Sequence, residues 1–148
     1  MSRAHDLAWC AGFFDGEGFI IIQKRKLRRG EKTYTGHYLR IGINHVRPEP
    51  LEEIKRVLGG TLRFDANSVL HCKDGYNRKP RYSWTSSTQE AGQAILEMMP
   101  YLRNKNREAA LALDFLKTIQ THKQTVPEEV TLLREQFHQA IKTLNANG

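Results

Sequence analysis

Two acids and three glycines are crowded into one short stretch of the chain. Residues 10–18 read CAGFFDGEG, so Asp15 and Glu17 alternate with glycines. The apolar spacing before them predicts a helix that begins at Asp6 and ends at Asp15, and glycines suit a helix C-terminus. Exposed carbonyls already make that end electronegative, so carboxylates there cost stability. We therefore expect the acids to serve a cation; the alternative is that they only solvate a turn.

The predicted helix also carries a stripe of small residues at helical spacing, which would let a second helix backbone come close. The stripe consists of Ala4, Ala8, Ala11, Gly12 and Asp15. The apolar side of the same helix consists of Leu7, Cys10, Phe13 and Phe14.

Length and composition limit the class of protein. The chain has 148 residues, and this length predicts one domain over residues 1–148. No apolar run reaches the roughly 18 residues that cross a bilayer, so no membrane segment is expected. Two cysteines without a CxxC pair predict neither a disulfide framework nor structural zinc. They indicate a reducing intracellular setting, cytoplasmic if the source is bacterial or phage and otherwise organellar.

The positive charge is clustered. The formal net charge is +7, and residues 24–29 (KRKLRR) and 73–81 (KDGYNRKPR) are strongly basic. Tyrosines and turn residues lie within or beside both clusters, a pattern typical of nucleic-acid surfaces. The alternative interpretation is a solvated face that only improves solubility.

Apolar periodicity predicts nine elements in the order α-β-β-α-β-β-α-α-α, and hence an α+β fold with a four-stranded antiparallel sheet backed by helices. The predicted strands are residues 19–26, 37–45, 61–64 and 79–88, and the later helices are 50–60, 89–99, 107–120 and 127–144. We expect turns at residues 28–36 and in the DGYN segment, 74–77. In the second strand Leu39, Ile41 and Ile43 share one parity, which predicts one buried face and one face presented to a partner.

CAGFFDGEG, with the preceding LAW, resembles the LAGLIDADG motif of the homing endonuclease family. The Ala11-Gly12 pair, Asp15 and Gly18 match by identity, Glu17 replaces the second Asp, and Cys10 in place of the first Leu is the main departure. The predicted element order also follows the αββαββα order of that family. Only one motif occurs, so the chain resembles the single-motif members, which act as homodimers.

The resemblance implies an active site. Glu17 corresponds to the family's metal ligand, helped by the backbone carbonyl of Gly16, and such oxygen ligands suit Mg²⁺. Residues 100–109, PYLRNKNREA, resemble the segment whose lysine lies near the scissile phosphates, and Lys105 takes that position. The small stripe would then form the dimer interface, with Ala8, Ala11, Gly12 and Asp15 as its members.

Three further residues follow from the resemblance. The family places a polar side chain at the end of its second strand to position the attacking water, and either His45 or Asn44 fits. We favour His45 because it shares the parity of the buried isoleucines in that strand. Arg47 could correspond to a second arginine close to the site.

The sheet face opposite the core is expected to read double-stranded DNA, since arginine and glutamine read base edges and a β-ribbon fits the major groove. The predicted readers are Gln23, Arg25, Tyr38, Arg40, Arg63, Arg81, Ser83 and Thr85. The residues expected on phosphates are Arg28 and Arg29, with Lys24, Lys26, Lys73, Arg78 and Lys79.

Together these features predict a homodimeric, Mg²⁺-dependent endonuclease that cuts a long, near-palindromic DNA site. One alternative is a DNA- or RNA-binding protein on the same scaffold, a regulator or maturase, which does not cut. The other is an unrelated basic α+β nucleic-acid-binding protein, which would leave the acids and the small stripe unexplained.

Overall fold

The computed structural model describes residues 2–65, 80–121 and 126–147. Its elements follow the predicted order. The strands are β1 (Gly18–Arg29), β2 (Lys32–His45), β3 (Thr61–Asp65) and β4 (Arg81–Ser87). The helices are α1 (Arg3–Glu17), α2 (Glu49–Leu58), α3 (Thr88–Met98), α4 (Asn106–Thr121) and α5 (Glu128–Asn147). A helical turn, Met99–Tyr101, follows α3. No helix in these ranges is long and apolar enough to cross a bilayer.

The four strands form one antiparallel sheet in the order β1-β2-β4-β3. β1 pairs with β2 along its whole length, but β2 pairs with β4 only from Arg40 to His45. The outer halves of β1 and β2, residues 24–37, therefore extend beyond the four-stranded sheet as a two-stranded ribbon.

The turn of this ribbon is shorter than predicted. Gly30 and Glu31 alone connect the strands, and Gly30 has a φ of +62°, a conformation that favours glycine. The prediction of a turn across residues 28–36 was therefore wrong at both ends. Residues on both sides of the turn instead pair across the two strands of the ribbon, although most of their side chains are exposed.

The predicted alternation of β2 is confirmed, and it defines an inner and an outer face of the sheet. Leu39, Ile41 and Ile43 are fully buried on the inner face, where Ile20 and Ile22 of β1 lie beside them. Trp84 of β4 joins this layer, and the helices supply the rest of one continuous core. Burial of this kind is the main contribution to stability.

Helix α1 is longer than predicted, and its buried side differs from the prediction. Cys10, Ala11 and Phe14 are fully buried within the chain. Ala11 therefore cannot contact a second copy, and its assignment to the dimer interface was wrong. Ala8 and Gly12 remain exposed, and no atom outside the helix lies within 4 Å of the place where a Cβ on Gly12 would be.

The predicted glycine end of α2 is confirmed. Gly59 and Gly60 have φ values of +76° and +91°, and the indole nitrogen of Trp84 donates a 2.7 Å hydrogen bond to the Gly59 carbonyl. A Cβ at Gly60 would lie 2.8 Å from the Thr85 carbonyl oxygen, so the backbones meet too closely for a side chain there. The predicted DGYN turn lies outside the described residues.

Helix α5 covers the free edge of β1. The Asn145 amide donates to the Ile20 carbonyl at 3.0 Å, and the His138 ring nitrogen Nδ1 donates to the Ile22 carbonyl. Such contacts satisfy edge carbonyls that would otherwise invite pairing with another chain. Earlier in the same helix, the Glu135 carboxylate accepts hydrogen bonds from Lys24 and from the buried ring of His37.

Candidate active site and reading face

The C-terminal turn of α1 meets the loop that leads into α4, and Asp15 makes the contact. Its carboxylate accepts backbone N–H groups from Arg103 at 2.7 Å, Asn104 at 3.2 Å and Lys105 at 3.0 Å. Its backbone carbonyl accepts the Lys105 ammonium at 3.1 Å and the Asn104 amide at 3.2 Å. We call this set of residues the Asp15 junction.

The junction explains how a carboxylate is tolerated at the end of α1. The backbone N–H groups around the start of a helix are left without intrahelical partners and carry partial positive charge. Asp15 faces such groups at the start of α4, and the Lys105 ammonium lies against a carbonyl of the last turn of α1. The cation predicted for this carboxylate is thus replaced by a helix N-terminus and a lysine of the same chain.

Glu17 differs from Asp15 in every one of these respects. Its side chain is exposed and makes no hydrogen bond or ion pair with another described residue. Gly16, just before it, lies in the last helical turn, where carbonyls lack intrahelical partners. Of the two acids of the motif, Glu17 is therefore the one available to a metal ion.

The donor set fits a hard divalent cation such as Mg²⁺, which binds through one or two carboxylates and keeps waters or phosphate oxygens as its other ligands. In the parts of the chain that the structure describes, no three His, Cys, Asp or Glu side chains lie close enough to form a metal cage. One protomer thus offers a carboxylate and a carbonyl, which suits an ion shared with a bound phosphate.

Gly18, the residue that follows Glu17, is closely packed. The Phe14 ring lies directly against Gly18, and a Cβ there would come within 2.6 Å of the ring atom Cε2. Gly18 pairs with Ile43 of β2. Glu17, the last residue of α1, directly precedes this pair, and Asn44 directly follows Ile43 near the end of β2.

The structure separates the two candidates for positioning water. Asn44 lies on the outer face, where its side-chain oxygen accepts the Ser83 hydroxyl at 2.6 Å. His45 has the inner parity and packs against the Phe13 ring, with 5.6 Å between centroids. Its Nδ1 accepts the Arg47 backbone N–H at 3.0 Å, so Nε2 is the nitrogen left for another partner. The choice between them stays a prediction.

Arg47 is not brought into the site by any contact in the described structure. Its side chain is 73% exposed, and among the described residues its guanidinium pairs only with Glu49, at 3.9 Å. Its backbone N–H donates to His45, as described above, but its guanidinium makes no hydrogen bond or ion pair with a described residue of the site.

The outer face of the sheet carries the predicted readers. Strand parity and register place all eight on this face: Gln23, Arg25, Tyr38, Arg40, Arg63, Arg81, Ser83 and Thr85. Arg29 has the same parity, whereas Arg28 has the opposite one and bonds to the Gly30 carbonyl at the tip of the ribbon. Lys73, Arg78 and Lys79 lie outside the described residues.

Two arginines of the ribbon are held over aromatic rings. The Arg25 guanidinium lies 5.5 Å from the centroid of the Tyr38 ring, and Arg29 lies 5.7 Å from that of Tyr34. Gly36 makes room for the first pair, because a Cβ there would lie 2.9 Å from the Tyr38 hydroxyl oxygen. Stacked arginines keep their donors pointed outward.

Comparison with known proteins identifies the family of this chain. The model of the LAGLIDADG endonuclease family matches residues 10–122. The chain belongs to that family. The single motif is the end of α1 and its passage into β1, so the LAGLIDADG helix is the one that ends at the Asp15 junction.

Solved LAGLIDADG endonucleases share the fold. The homing endonuclease I-CvuI, in complex with its target in the presence of calcium, superposes with a TM-score of 0.72 at 21% identity, over 96% of this chain and 83% of that one. The archaeal intron-encoded I-Vdi141I, complexed with DNA, gives 0.71 at 13% identity, over 97% and 86%. The meganuclease I-SmaMI, bound to uncleavable DNA, gives 0.69 at 20% identity, over 90% of this chain but 43% of that one. No curated protein matches significantly.

The motif and Lys105 could be found from the LAGLIDADG resemblance, but several contributors could not. Asn104 adds a second donor to the Asp15 carbonyl, and Gly36 makes room for Tyr38 on the outer face. Asn104 and Gly36 are ordinary loop and strand residues in the sequence, and neither carries a motif. They become visible only when the backbone path is known.

Proposed function

We propose that this LAGLIDADG protein is a homodimeric, divalent-metal-dependent DNA endonuclease that cuts both strands of a specific, near-palindromic site. The Asp15 junction carries the proposal. It holds the Lys105 ammonium on the Asp15 carbonyl, so a fixed cation contacts the backbone two residues before the exposed carboxylate of Glu17. A fixed cation next to a free carboxylate suits chemistry on a phosphodiester.

Each group has a role that follows from its position. Glu17 and the Gly16 carbonyl would hold the metal, which would supply an activated water and offset the negative charge on the phosphate. Lys105 places a positive charge beside the same phosphate, where a preorganised cation stabilises the transition state more than the ground state. The polar groups of Asn44 and His45 end β2 close by and are the candidates to orient the attacking water.

Two copies are required because one chain supplies one motif and two strands must be cut. The exposed side of α1, with Ala4, Ala8 and Gly12, has the small residues that allow two helices to pack closely around a two-fold axis. I-CvuI and I-Vdi141I were crystallised on DNA, and I-CvuI was studied with calcium and with magnesium. These relatives support DNA as the partner and a divalent cation as the cofactor.

The test begins by finding a target. Purified full-length protein is incubated with a library of randomised near-palindromic duplexes and Mg²⁺, and the cut molecules are sequenced. We expect a single family of sites with dyad symmetry, cleavage in both strands, and complete loss of cutting when EDTA replaces the metal.

The competing function is tested in the same experiment. Sites that are bound and enriched without being cut, with Mg²⁺ or Mn²⁺ present, would contradict the proposal and favour a binding protein on this scaffold. Sedimentation of the free and DNA-bound protein checks the dimer, and a monomer that cuts both strands would contradict that part.

A further inference from the structure

Resting on the proposed function, we infer that Asp15 is a positioning residue for Lys105, and that its carboxylate serves neither the metal nor the partner helix. The inference starts from the hydrogen bonds of the carboxylate. Oδ1 accepts the backbone N–H groups of Asn104 and Lys105, and Oδ2 accepts that of Arg103. Both oxygens are therefore already engaged within one chain.

The same carboxylate also caps the N-terminus of α4. The Lys105 carbonyl accepts the Ala109 N–H at 2.9 Å, so Lys105 is the N-cap residue of the helix and Glu108 is at its third position. In a capping box an acid at the third position accepts the N-cap N–H. Here Asp15 accepts it, and Glu108 Oε2 is left buried without a hydrogen-bond partner in the described structure. The helix is thus capped from a distance, by α1.

Lys105 is consequently fixed at both of its ends. Its backbone N–H is bonded to the Asp15 carboxylate and its ammonium to the Asp15 carbonyl, while Asn104 donates to that carbonyl from the other side. A lysine side chain normally explores many rotamers, and holding it in place removes this entropy before the reaction. Asp15 therefore determines where the charge of Lys105 lies relative to Gly16 and Glu17.

The first measurement uses Asp15→Asn in the full-length protein. The variant keeps the side-chain shape, but an amide NH₂ group replaces one carboxylate oxygen. Because three backbone N–H donors converge on the two oxygens of Asp15, that NH₂ group would face at least one of these donors. At saturating protein we expect single-turnover cleavage to slow at least about tenfold, with DNA affinity and the sedimenting mass unchanged. The matched control is Asp114→Asn, an exposed acid of α4 whose side chain bonds to Lys117.

The second measurement asks whether Asp15 acts through Lys105. In a Lys105→Ala background, Asp15→Asn should leave the remaining cleavage rate nearly unchanged, because the group it positions is already gone. Independent, multiplicative losses would contradict the inference, and so would a loss of the dimer by Asp15→Asn alone.

A third measurement needs no substitution and no cleavage. The amides of Arg103, Asn104 and Lys105 precede α4, and the partner shown for each is Asp15. Their hydrogen exchange in the wild-type protein should be slow compared with exposed loop amides. Unprotected amides would contradict the inference even if Asp15→Asn fails to fold. Protected amides in a protein that cuts no DNA would instead contradict the proposed function and leave the Asp15 contact standing.

Discussion

The Asp15 junction and the β1–β2 ribbon lie on the same chain but are built in opposite ways. Five hydrogen bonds converge on one residue at the junction, and three of them come from backbone groups. The ribbon is two strands wide, and its outward arginines are ordered by aromatic neighbours. Under the proposed function, chemistry on a phosphate would require fixed distances, whereas reading a long groove would require reach, and a different region would meet each demand. Damage to one region should therefore leave the function of the other largely intact.

The strongest test of this separation is Glu17→Gln, which removes the free carboxylate and nothing else. We expect cleavage to fall by at least about 10²–10³-fold, because the metal loses its charged ligand. Affinity for the selected target should stay within about tenfold, since the reading face is untouched. Gel-shift titration and single-turnover cleavage measure the two quantities.

The control for Glu17→Gln is Glu129→Gln, an exposed acid in the first turn of α5. It changes net charge equally and should affect neither quantity. A Glu17→Gln protein that cuts at the wild-type rate would remove Glu17 from the active site.

Gly12→Leu should prevent dimerisation while leaving the Asp15 junction and the β1–β2 ribbon of each protomer intact. No atom outside the helix lies near a Cβ at this position, so the monomer has room for the side chain. Two paired α1 helices would have no room for it. Overpacking costs about 1–3 kcal/mol per site, and the substitution would be present in both copies. We expect a folded monomer by circular dichroism and sedimentation. An intact dimer that cuts DNA would place the interface elsewhere.

Arg40→Ala and Arg29→Ala separate base reading from phosphate contact within the outer face. Arg40 lies where β2 is paired with both β1 and β4, so its loss should relax preference at one base pair and at its dyad mate by about 1–3 kcal/mol each. Arg29 lies near the ribbon tip, and its loss should weaken all sequences alike and lessen the salt dependence of binding. Cleavage profiles over all single-base variants of the target distinguish these outcomes. A change confined to one half-site would contradict the homodimer.

Gly18→Ala tests the packing of the Phe14 ring against the residue that follows Glu17. The added methyl group would overlap the Phe14 ring, and we expect a loss of about 1–3 kcal/mol in the free energy of unfolding. Gly16→Ala is the matched control, because nothing lies within 4 Å of its Cβ position. Urea denaturation of both variants measures the difference, and equal stability would mean that the ring moves freely.

Glu135 of α5 contacts Lys24 and His37 of the ribbon. We expect its substitution to have the smallest effect on the protein, and that effect should depend on pH. The hydrogen bond from His37, followed by those from Gln139 and Lys24, lowers the pKa of Glu135 from 4.5 to about 2. The unfolded chain therefore binds more protons than the folded one between these values, and stability falls as the pH drops through that window.

Glu135→Gln should remove this part of the acid sensitivity. Its deficit in unfolding free energy at neutral pH should shrink as the solution is acidified to about pH 3, where the wild-type advantage is fading. Glu129→Gln again serves as the control, and a deficit that does not change with pH would mean that packing, not charge, holds α5 to the ribbon.

Local patterns predicted most of the fold, since burial imposes period two on strands and period 3.6 on helices. Leu39, Ile41 and Ile43 therefore showed both faces of β2 correctly. Ala11 was placed wrongly because a small residue fits a tight core as well as a tight interface, and the sequence does not distinguish them. The ribbon was missed because its exposed strands lack an apolar stripe.

The candidate site divides in the same way. Glu17 and Lys105 followed from the resemblance, which records chemistry in side chains. The contacts of the Asp15 carboxylate did not, because its partners are the backbone N–H groups of Arg103, Asn104 and Lys105. Every non-proline residue has such a group, so no residue type marks these partners in advance.

The number of paired strands changes along the sheet, and this should affect how strictly the protein rejects mismatched DNA targets. Near Arg40 the outer face is backed by three paired strands, β1, β2 and β4, and by the packed core, whereas beyond Lys24 it is two strands for about 20 Å. A two-stranded ribbon is marginally stable alone and bends easily. We expect mismatches under the wide part to be rejected, while mismatches under the ribbon are absorbed by its bending. Stringency should thus decline from the centre of the target toward both of its ends.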